Sequence, residues 1–413
     1  MSAWLNDLGI VSALGVDKAE HLQAFCGLEQ TPLTQGSGLH YGVQESDQHG
    51  EPAIQQDPYV GLVRAIPLSE KQRNNRLLDL ALAQLTPTLQ RMRARYNPAR
   101  IAVVVGTSTA DIYDGERARE HKAHTGCWPE GYHYNQQALD APAVYIKEKL
   151  GLEGIAYSIS TACSSSAKAL SSAKGLLAAG LADAVICGGA DSLCQLTING
   201  FSALASTSHG LCQPFGAERD GINIGEGAAL FVMSRERDLG ESHCALLGSG
   251  ASSDAHHMSA PEPNGHGAIE AMRQALANAK LSPNQIDYLN AHGTATPKND
   301  EMEAKAIAEL FADPVPVSST KHLTGHTLGA AGAIEAGLCW LLIEQQRLGA
   351  EVLPSATQAG LPLPWHQGYE LDANLAPIQV LQQPITKTPK ICMSNSFAFG
   401  GNNASLIIGE VDA

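Results

Sequence analysis

Three short polar segments of this chain carry side chains able to form or stabilise covalent intermediates. The first is TACSSS, where Cys163 is expected to stand between a short polar strand and a small-residue helix (YSISTACSSSAKALSSAKGLLAAG). A cysteine in the first turn of a helix faces unpaired backbone N–H groups and the positive end of the helix dipole. Both favour the thiolate, which is the nucleophilic form. The second segment is NAHGTATPKND with His292, and the third is SSTKHLTGHTLGAAGAIEA with Lys321 and His326. Each of these two histidines ends an apolar run and is flanked by glycine and threonine. Strand ends are where α/β folds place their sites. A nucleophilic cysteine served by histidines distant in sequence is a recognised chemical arrangement. Position alone also allows Cys163 to be a buried structural cysteine at a tight turn. His133, His209 and His266 lack such settings and are expected to be packed or surface residues.

Alternating elements must hold these segments. Strands are expected over 101–108 (IAVVVGTS), 182–191 and 227–236, with helices over 76–96 and after Cys163, the latter stopped by Gly180. A second set begins near residue 243. It runs HCALLGSGASSD (strand and turn), GAIEAMRQALANAKLSP (helix), IDYLNAHGT (strand) and NDEMEAKAIAELF (helix). It continues with VPVSSTKHLTGH (strand into a polar loop), AAGAIEAGLCWLLIEQQ (apolar helix) and ICMSNSFAFGGNNASLIIGE (paired strands). The alternation argues for an α/β fold with helix-covered sheets. Two halves are expected, 1–240 with the cysteine and 241–413 with the histidines and a glycine-rich loop. No Gly/Ser or Pro-rich linker separates them, so they should be packed together.

Composition narrows the function classes. Hydrophobic content of 44% and charged content of 17% over 413 residues fit a well-packed globular protein. A formal net charge of −15 without a basic stripe disfavours nucleic acid as a partner. The N-terminus lacks the basic start and apolar core of a signal peptide, and no apolar run reaches membrane-spanning length. Nine scattered cysteines with no CxxC pair suggest neither a zinc site nor a disulfide framework. A reducing, cytoplasmic setting follows.

Taken together, STACSSS, GINIGEGAALFVM, NAHGTATPKND, STKHLTGHTLGAAGAIEA and SNSFAFGGNNAS resemble the β-ketoacyl-acyl carrier protein synthases, condensing enzymes of the thiolase-like fold. The pieces occur in the family's order over essentially the full length. DSLCQLTINGF and LCQPFGAERDGINIGEGAAL further resemble synthases associated with aryl polyene pathways. The resemblance implies an α/β fold of two similar packed halves in α-β-α-β-α layers, and a dimer with itself or a related chain. It implies that Cys163 carries the acyl chain and that His292 and His326 stabilise charge on malonyl-carrier protein during decarboxylation. Lys321 would be an active-site lysine paired with Glu335. The N–H groups of Cys163 and Phe399 would form a second oxyanion hole, in a loop where Ala398 replaces the usual glycine before Phe399 and Gly400. Because alanine restricts φ more than glycine, Ala398 is expected to stiffen that loop or shift its preferred state. Thr294 and Thr296 would contact the phosphopantetheine arm, and Phe201 and Ser108 would approach the acyl tunnel. Phosphopantetheine arrives on the carrier protein, so no resident cofactor or metal is expected.

An acidic carrier protein needs a local basic patch on this acidic chain. Lys71, Arg73 and Arg76 lie where the family places carrier contacts. Competing functions are a non-catalytic chain-length partner, which would lack the nucleophile, and a thiolase, which would need a second cysteine inside the glycine-rich loop. A cysteine hydrolase would not need the Lys321–His326 segment.

Overall fold

The structure is a computed structural model that describes residues 3–25, 31–36, 39, 57–237, 239–352 and 362–411. In chain order its main strands are β1 (Ala3–Val11), β2 (Ile101–Gly106), β3 (Ala156–Ile159), β4 (Ala184–Asp191), β5 (Gly227–Ser234) and β6 (Cys244–Ser253). They continue with β7 (Tyr288–Asn290), β8 (Pro316–Ser318), β9 (Gln379–Val380), β10 (Ile391–Ala398) and β11 (Asn402–Glu410). The order across the sheet is β9-β8-β7-β10-β11-β6-β1-β5-β4-β2-β3.

That order contains one pattern twice. Within β1–β5, the first strand pairs with the fifth, the fifth with the fourth, the fourth with the second and the second with the third. The strands β6, β7, β8, β10 and β11 repeat these pairings with the same parallel and antiparallel senses. β9 adds a parallel pair at the outer edge of the second set. The two sets join where Ala3 and Trp4 pair with Leu246 and Ala245.

Every residue of β2, β4 and β5 is buried, as expected for strands covered on both faces. The helices Arg73–Gln84 and Ala141–Lys149 pack on the first set, and His266–Ala279 packs on the second. Between the sets lie Ser165–Ala178 and Ala331–Val352, each touching strands of both. Ser166 Oγ accepts the Ala333 N–H at 2.8 Å, and Ala169, Ala173 and Ala336 are buried around this contact. Small side chains let the two central helices approach each other and both sheets. That is the physical reason for the alanine- and serine-rich composition after Cys163.

Four elements depart from the sequence expectations. The helix expected over 76–96 is two helices, Arg73–Gln84 and Thr86–Arg95. Pro87 lacks an N–H and its ring would clash with the carbonyl four residues back, so the chain breaks at Leu85. The polar loop after β8 opens with a one-turn helix, Lys321–Thr324. β1 was not anticipated, because Asn6 and Asp7 interrupt its apolar pattern. Both are satisfied locally: Asn6 donates to Ser234 Oγ at 2.8 Å, and Asp7 accepts from Lys18 and Thr88 at 2.8 Å each. Lastly, Cys163 precedes Ser164, the N-cap of Ser165–Ala178, and is outside the first helical turn. Among the described residues no helix is long and apolar enough to cross a membrane.

Candidate active site

Cys163 follows β3 on a tight turn in which Ala162 has φ +52°. An alanine in the left-handed region is strained, and such strain persists only where the surroundings impose it. The turn presents the sulphur to a cavity of about 350 Å³ whose lining includes His292, His326, Phe399, Phe201 and Thr294. His326 Nε2 is 3.0 Å from Cys163 Sγ, and the two histidine rings stand edge to face with centroids 5.4 Å apart.

Burial dominates the electrostatics. It pushes the Cys163 thiol up to about 11, against the opposing pull of Lys321 and of the Phe399 and Cys163 backbone N–H groups. The sequence expectation of a thiolate favoured by a helix start is therefore corrected. Cys163 is one residue short of the cap, and removal from water outweighs the local positive potential. Burial, followed by the nearby Lys321, also holds His292 and His326 well below the usual histidine range, so both are neutral.

The tautomer of His326 follows from its partner. Leu328 N–H donates to His326 Nδ1 at 3.3 Å, so Nε2 carries the ring proton and points into the cavity as a donor. The ligand-type atoms of Cys163, His292 and His326 lie within 4.8 Å of one another, close enough to hold one metal ion. The same hydrogen bond opposes that use. A metal on Nε2 would move the proton to Nδ1, where it would face another N–H.

A buried carboxylate fixes the His292 loop. Glu303 accepts the His292 N–H at 2.8 Å and the Gly293 N–H at 2.7 Å. Burial raises the Glu303 carboxyl to about 7, with those two N–H groups opposing. Lys321 and Glu335 form a buried ion pair, with side-chain exposures of 2% and 3%. The pair does not line the cavity. It places a positive charge behind both histidines and the thiol.

The remaining expected residues divide. Thr294, Thr296, Phe201 and Ala398 line the cavity, and Phe201 packs against Phe399 with centroids 5.5 Å apart. Ala398 is the last residue of β10, with φ −108°, a conformation open to any residue; it imposes no strain. The left-handed positions of the loop are Gly400 (φ 79°) and Gly401 (φ 71°), so the expected cost of Ala398 is absent. Ser108 does not line the cavity. Its N–H donates to Asp191 at 2.9 Å, as part of a turn that Thr107 and Thr109 also tie to that carboxylate. Arg73 cannot dock a carrier protein. It is 0% exposed and paired through Nε with Glu226 at 2.7 Å, its other N–H groups going to Glu226 and to carbonyls of 63, 66 and 67. Lys71 is exposed, and Arg76 is exposed but engaged with Glu70 and Asp79.

Sequence reasoning missed several positioning residues. Glu303 lies on the buried stripe of its helix with Asp300 and Ile307, and that spacing was the available signal. Glu116 accepts the N–H groups of Gln195 and Leu196 at 3.0 and 2.6 Å, capping the helix Gln195–Ala203 that carries Phe201. Nothing local to Glu116 reveals this, because its partners are far along the chain. Asn299, Asp254 and Asn403 line the cavity and were also missed.

Known proteins resemble this chain in sequence and in fold. The N-terminal domain model of the β-ketoacyl synthases covers residues 50–238, and the C-terminal domain model covers 243–352. The chain is 36% identical over 284 residues to the mitochondrial 3-oxoacyl-[acyl-carrier-protein] synthase of Arabidopsis thaliana, covering 65% of this chain and 59% of that protein. It is 32% identical over 323 residues to nodulation protein E of Rhizobium meliloti, covering 76% of this chain and 77% of that protein. A solved structure of a ketosynthase (ApeO) in complex with its chain length factor (ApeC) from Xenorhabdus doucetiae is 42% identical. It superposes with a TM-score of 0.84 over 99% of this chain and 98% of the matched one.

Proposed function

The chain belongs to the β-ketoacyl synthase family, and we propose that it acts as a condensing acyltransferase, a β-ketoacyl-acyl carrier protein synthase. The observation that carries this reading is one cavity holding a buried thiol and two neutral imidazoles, with Cys163 and His326 3.0 Å apart.

In the first step Cys163 Sγ bonds to the carbonyl carbon of an acyl thioester. The carrier's pantetheine sulphur leaves and takes the proton that Cys163 loses. The N–H groups of Cys163 and Phe399, both near enough to the sulphur to favour its thiolate, are suited to hold the tetrahedral oxyanion. In the second step malonyl-carrier protein occupies the same cavity, and its carboxyl C–C bond breaks to release carbon dioxide. The electron pair is held as an enolate whose oxygen accepts N–H bonds from His292 and His326. The enolate carbon then attacks the acyl-cysteine carbonyl. Cys163 leaves as thiolate and takes up a proton from solvent, and the chain is two carbons longer.

Neutral histidines suit this work. Donors fixed before reaction stabilise developing charge without reorganising at the moment of reaction. The Lys321 charge behind them favours negative charge in the cavity. No resident cofactor or metal is part of the proposal, since phosphopantetheine enters on the carrier protein. Lys71 and Arg117, which line one surface cavity, together with the exposed Arg76 form the proposed carrier-docking patch. The resemblance to aryl polyene synthases, and a neighbour solved with a chain length factor, favour a polyene-type chain and a related chain as dimer partner. A cytoplasmic location belongs to the same proposal, in keeping with eight free cysteines among the described residues.

The test is to incubate the protein with malonyl-carrier protein and an acyl donor and weigh the products. A two-carbon extension with release of carbon dioxide is expected. Release of free acid alone would point to hydrolysis and reject the proposal.

A further inference from the structure

A second cluster of titratable side chains, the buried His366 with the half-buried His322 and Tyr369, lies behind the Lys321–Thr324 turn. Ser319 connects it to the catalytic cavity. The Ser319 N–H donates to His366 Nε2 at 3.1 Å, and the Ser319 carbonyl accepts from His322 Nδ1 at 2.8 Å. The Ser319 hydroxyl donates to the Gly293 carbonyl at 2.8 Å, and its oxygen accepts the Lys321 N–H at 3.3 Å. Gly293 follows His292, while Lys321 and His326 follow Ser319. Ser319 therefore ties the loop bearing one catalytic histidine to the turn leading to the other. The contact is close: a Cβ at position 293 would fall 2.5 Å from Ser319 Cβ.

Only one tautomer of His366 completes this arrangement. Because Ser319 N–H donates to Nε2, the ring proton sits on Nδ1 and is donated to the Tyr369 hydroxyl oxygen. Tyr369 then donates its own proton to the Pro214 carbonyl at 3.1 Å. The opposite tautomer would set two N–H groups against each other at Ser319. His366 is 1% exposed, its backbone N–H is anchored on the Leu381 carbonyl at 2.8 Å, and the His322 ring packs against it at 4.7 Å between centroids. Its placement is thus set independently of the catalytic loops.

We propose that His366, held in one tautomer by Tyr369, is a positioning residue that sets the spacing of His292 and His326 through Ser319, and so governs malonyl decarboxylation. The inference rests on the condensing activity proposed above. Acylation of Cys163 depends on the sulphur and on backbone N–H groups that Ser319 does not hold, so the two half-reactions should respond differently.

The experiment compares wild type with His366→Ala, His366→Gln and Tyr369→Phe. Acylation is read by intact mass from an acyl-carrier protein, and decarboxylation by carbon dioxide release from malonyl-carrier protein. His366→Ala should lower decarboxylation by about tenfold to a hundredfold while acylation stays within about twofold. His366→Gln, whose amide oxygen can accept the Ser319 N–H, should recover most of the loss, and Tyr369→Phe should cost about threefold. A parallel fall in both half-reactions, or unchanged decarboxylation in His366→Ala, would overturn the inference. If His366→Ala does not fold, an unchanged ratio of the two half-reactions in Tyr369→Phe would overturn it equally. A wild-type protein inactive in both half-reactions would refute the condensing activity, and the inference with it.

Discussion

The second strand of each half ends in the same device. In the first half β2 ends at Gly106, and the N–H groups of Ser108 and Thr109 donate to the buried carboxylate of Asp191. In the second half β7 ends at Asn290, and the N–H groups of His292 and Gly293 donate to the buried carboxylate of Glu303. The third strands correspond too. β3 leads through Cys163 into the central helix Ser165–Ala178, and β8 leads through Lys321 and His326 into the central helix Ala331–Val352. Repeated topology therefore offers four strand ends, and three of them carry reactive side chains. The carboxylate clasp is scaffold, and it becomes functional only where the clasped residue is a histidine. That is why Ser108, in the same place as His292, takes no part in the cavity.

Substitutions at these four strand ends should separate chemistry from scaffold. The largest effect belongs to the third strand of the first half. Cys163→Ala should lower condensation on the order of 10⁴-fold or more, with circular dichroism unchanged, because among the described residues no other thiol lines the cavity. Its counterpart is His326→Ala, which should lower malonyl decarboxylation about 10²- to 10³-fold, the usual loss for an oxyanion donor. The resting state of the thiol gives a further contrast. A thiol titrating at about 11 in place of 9.0 offers about a hundredfold less thiolate at neutral pH. Alkylation of Cys163 followed by mass spectrometry should therefore keep rising about tenfold per pH unit from pH 7 to 10; a plateau near pH 9 would contradict control by burial.

The clasps come next. Glu303→Gln keeps one acceptor and loses the carboxylate, so decarboxylation should fall about tenfold. Asp191→Asn should leave decarboxylation within about twofold and lower the thermal midpoint, at a cost of about 1–3 kcal/mol. Equal kinetic effects from both would erase the distinction between the halves. The smallest effect lies outside the core. Lys71→Glu should raise KM for acyl-carrier protein a few-fold, leaving KM for a small acyl thioester unchanged.

The segments proposed to do the chemistry are legible because each combines a reactive side chain with a strand end and a small-residue turn. Cys163, His292, Lys321 and His326 all fit that description, and Glu335 stands out as a lone carboxylate in an apolar helix. What the sequence hid depends on pairings distant along the chain. Arg73 reads as one more exposed cation until Glu226, 153 positions later, is seen to enclose it. Breaking that pair should cost about 3–5 kcal/mol of stability. Ser108 reads as a cavity residue until Asp191 is seen to hold its N–H. Ala398 looked costly because φ cannot be read from residue type, and the strand in fact extends through it. The duplicated strand order was invisible for a related reason. Topology fixes which faces are apolar, and many sequences satisfy that requirement.

One cavity is proposed to run two separable half-reactions, with Cys163 acting on the acyl donor and the histidines on malonyl-carrier protein. The most direct measurement sets Cys163→Ala beside His292→Ala, following acyl-enzyme formation by intact mass and carbon dioxide release from malonyl-carrier protein. Cys163→Ala should form no acyl-enzyme yet still decarboxylate, and His292→Ala should acylate normally yet lose decarboxylation. If each variant lost both activities together, the division of labour between the two halves would be wrong.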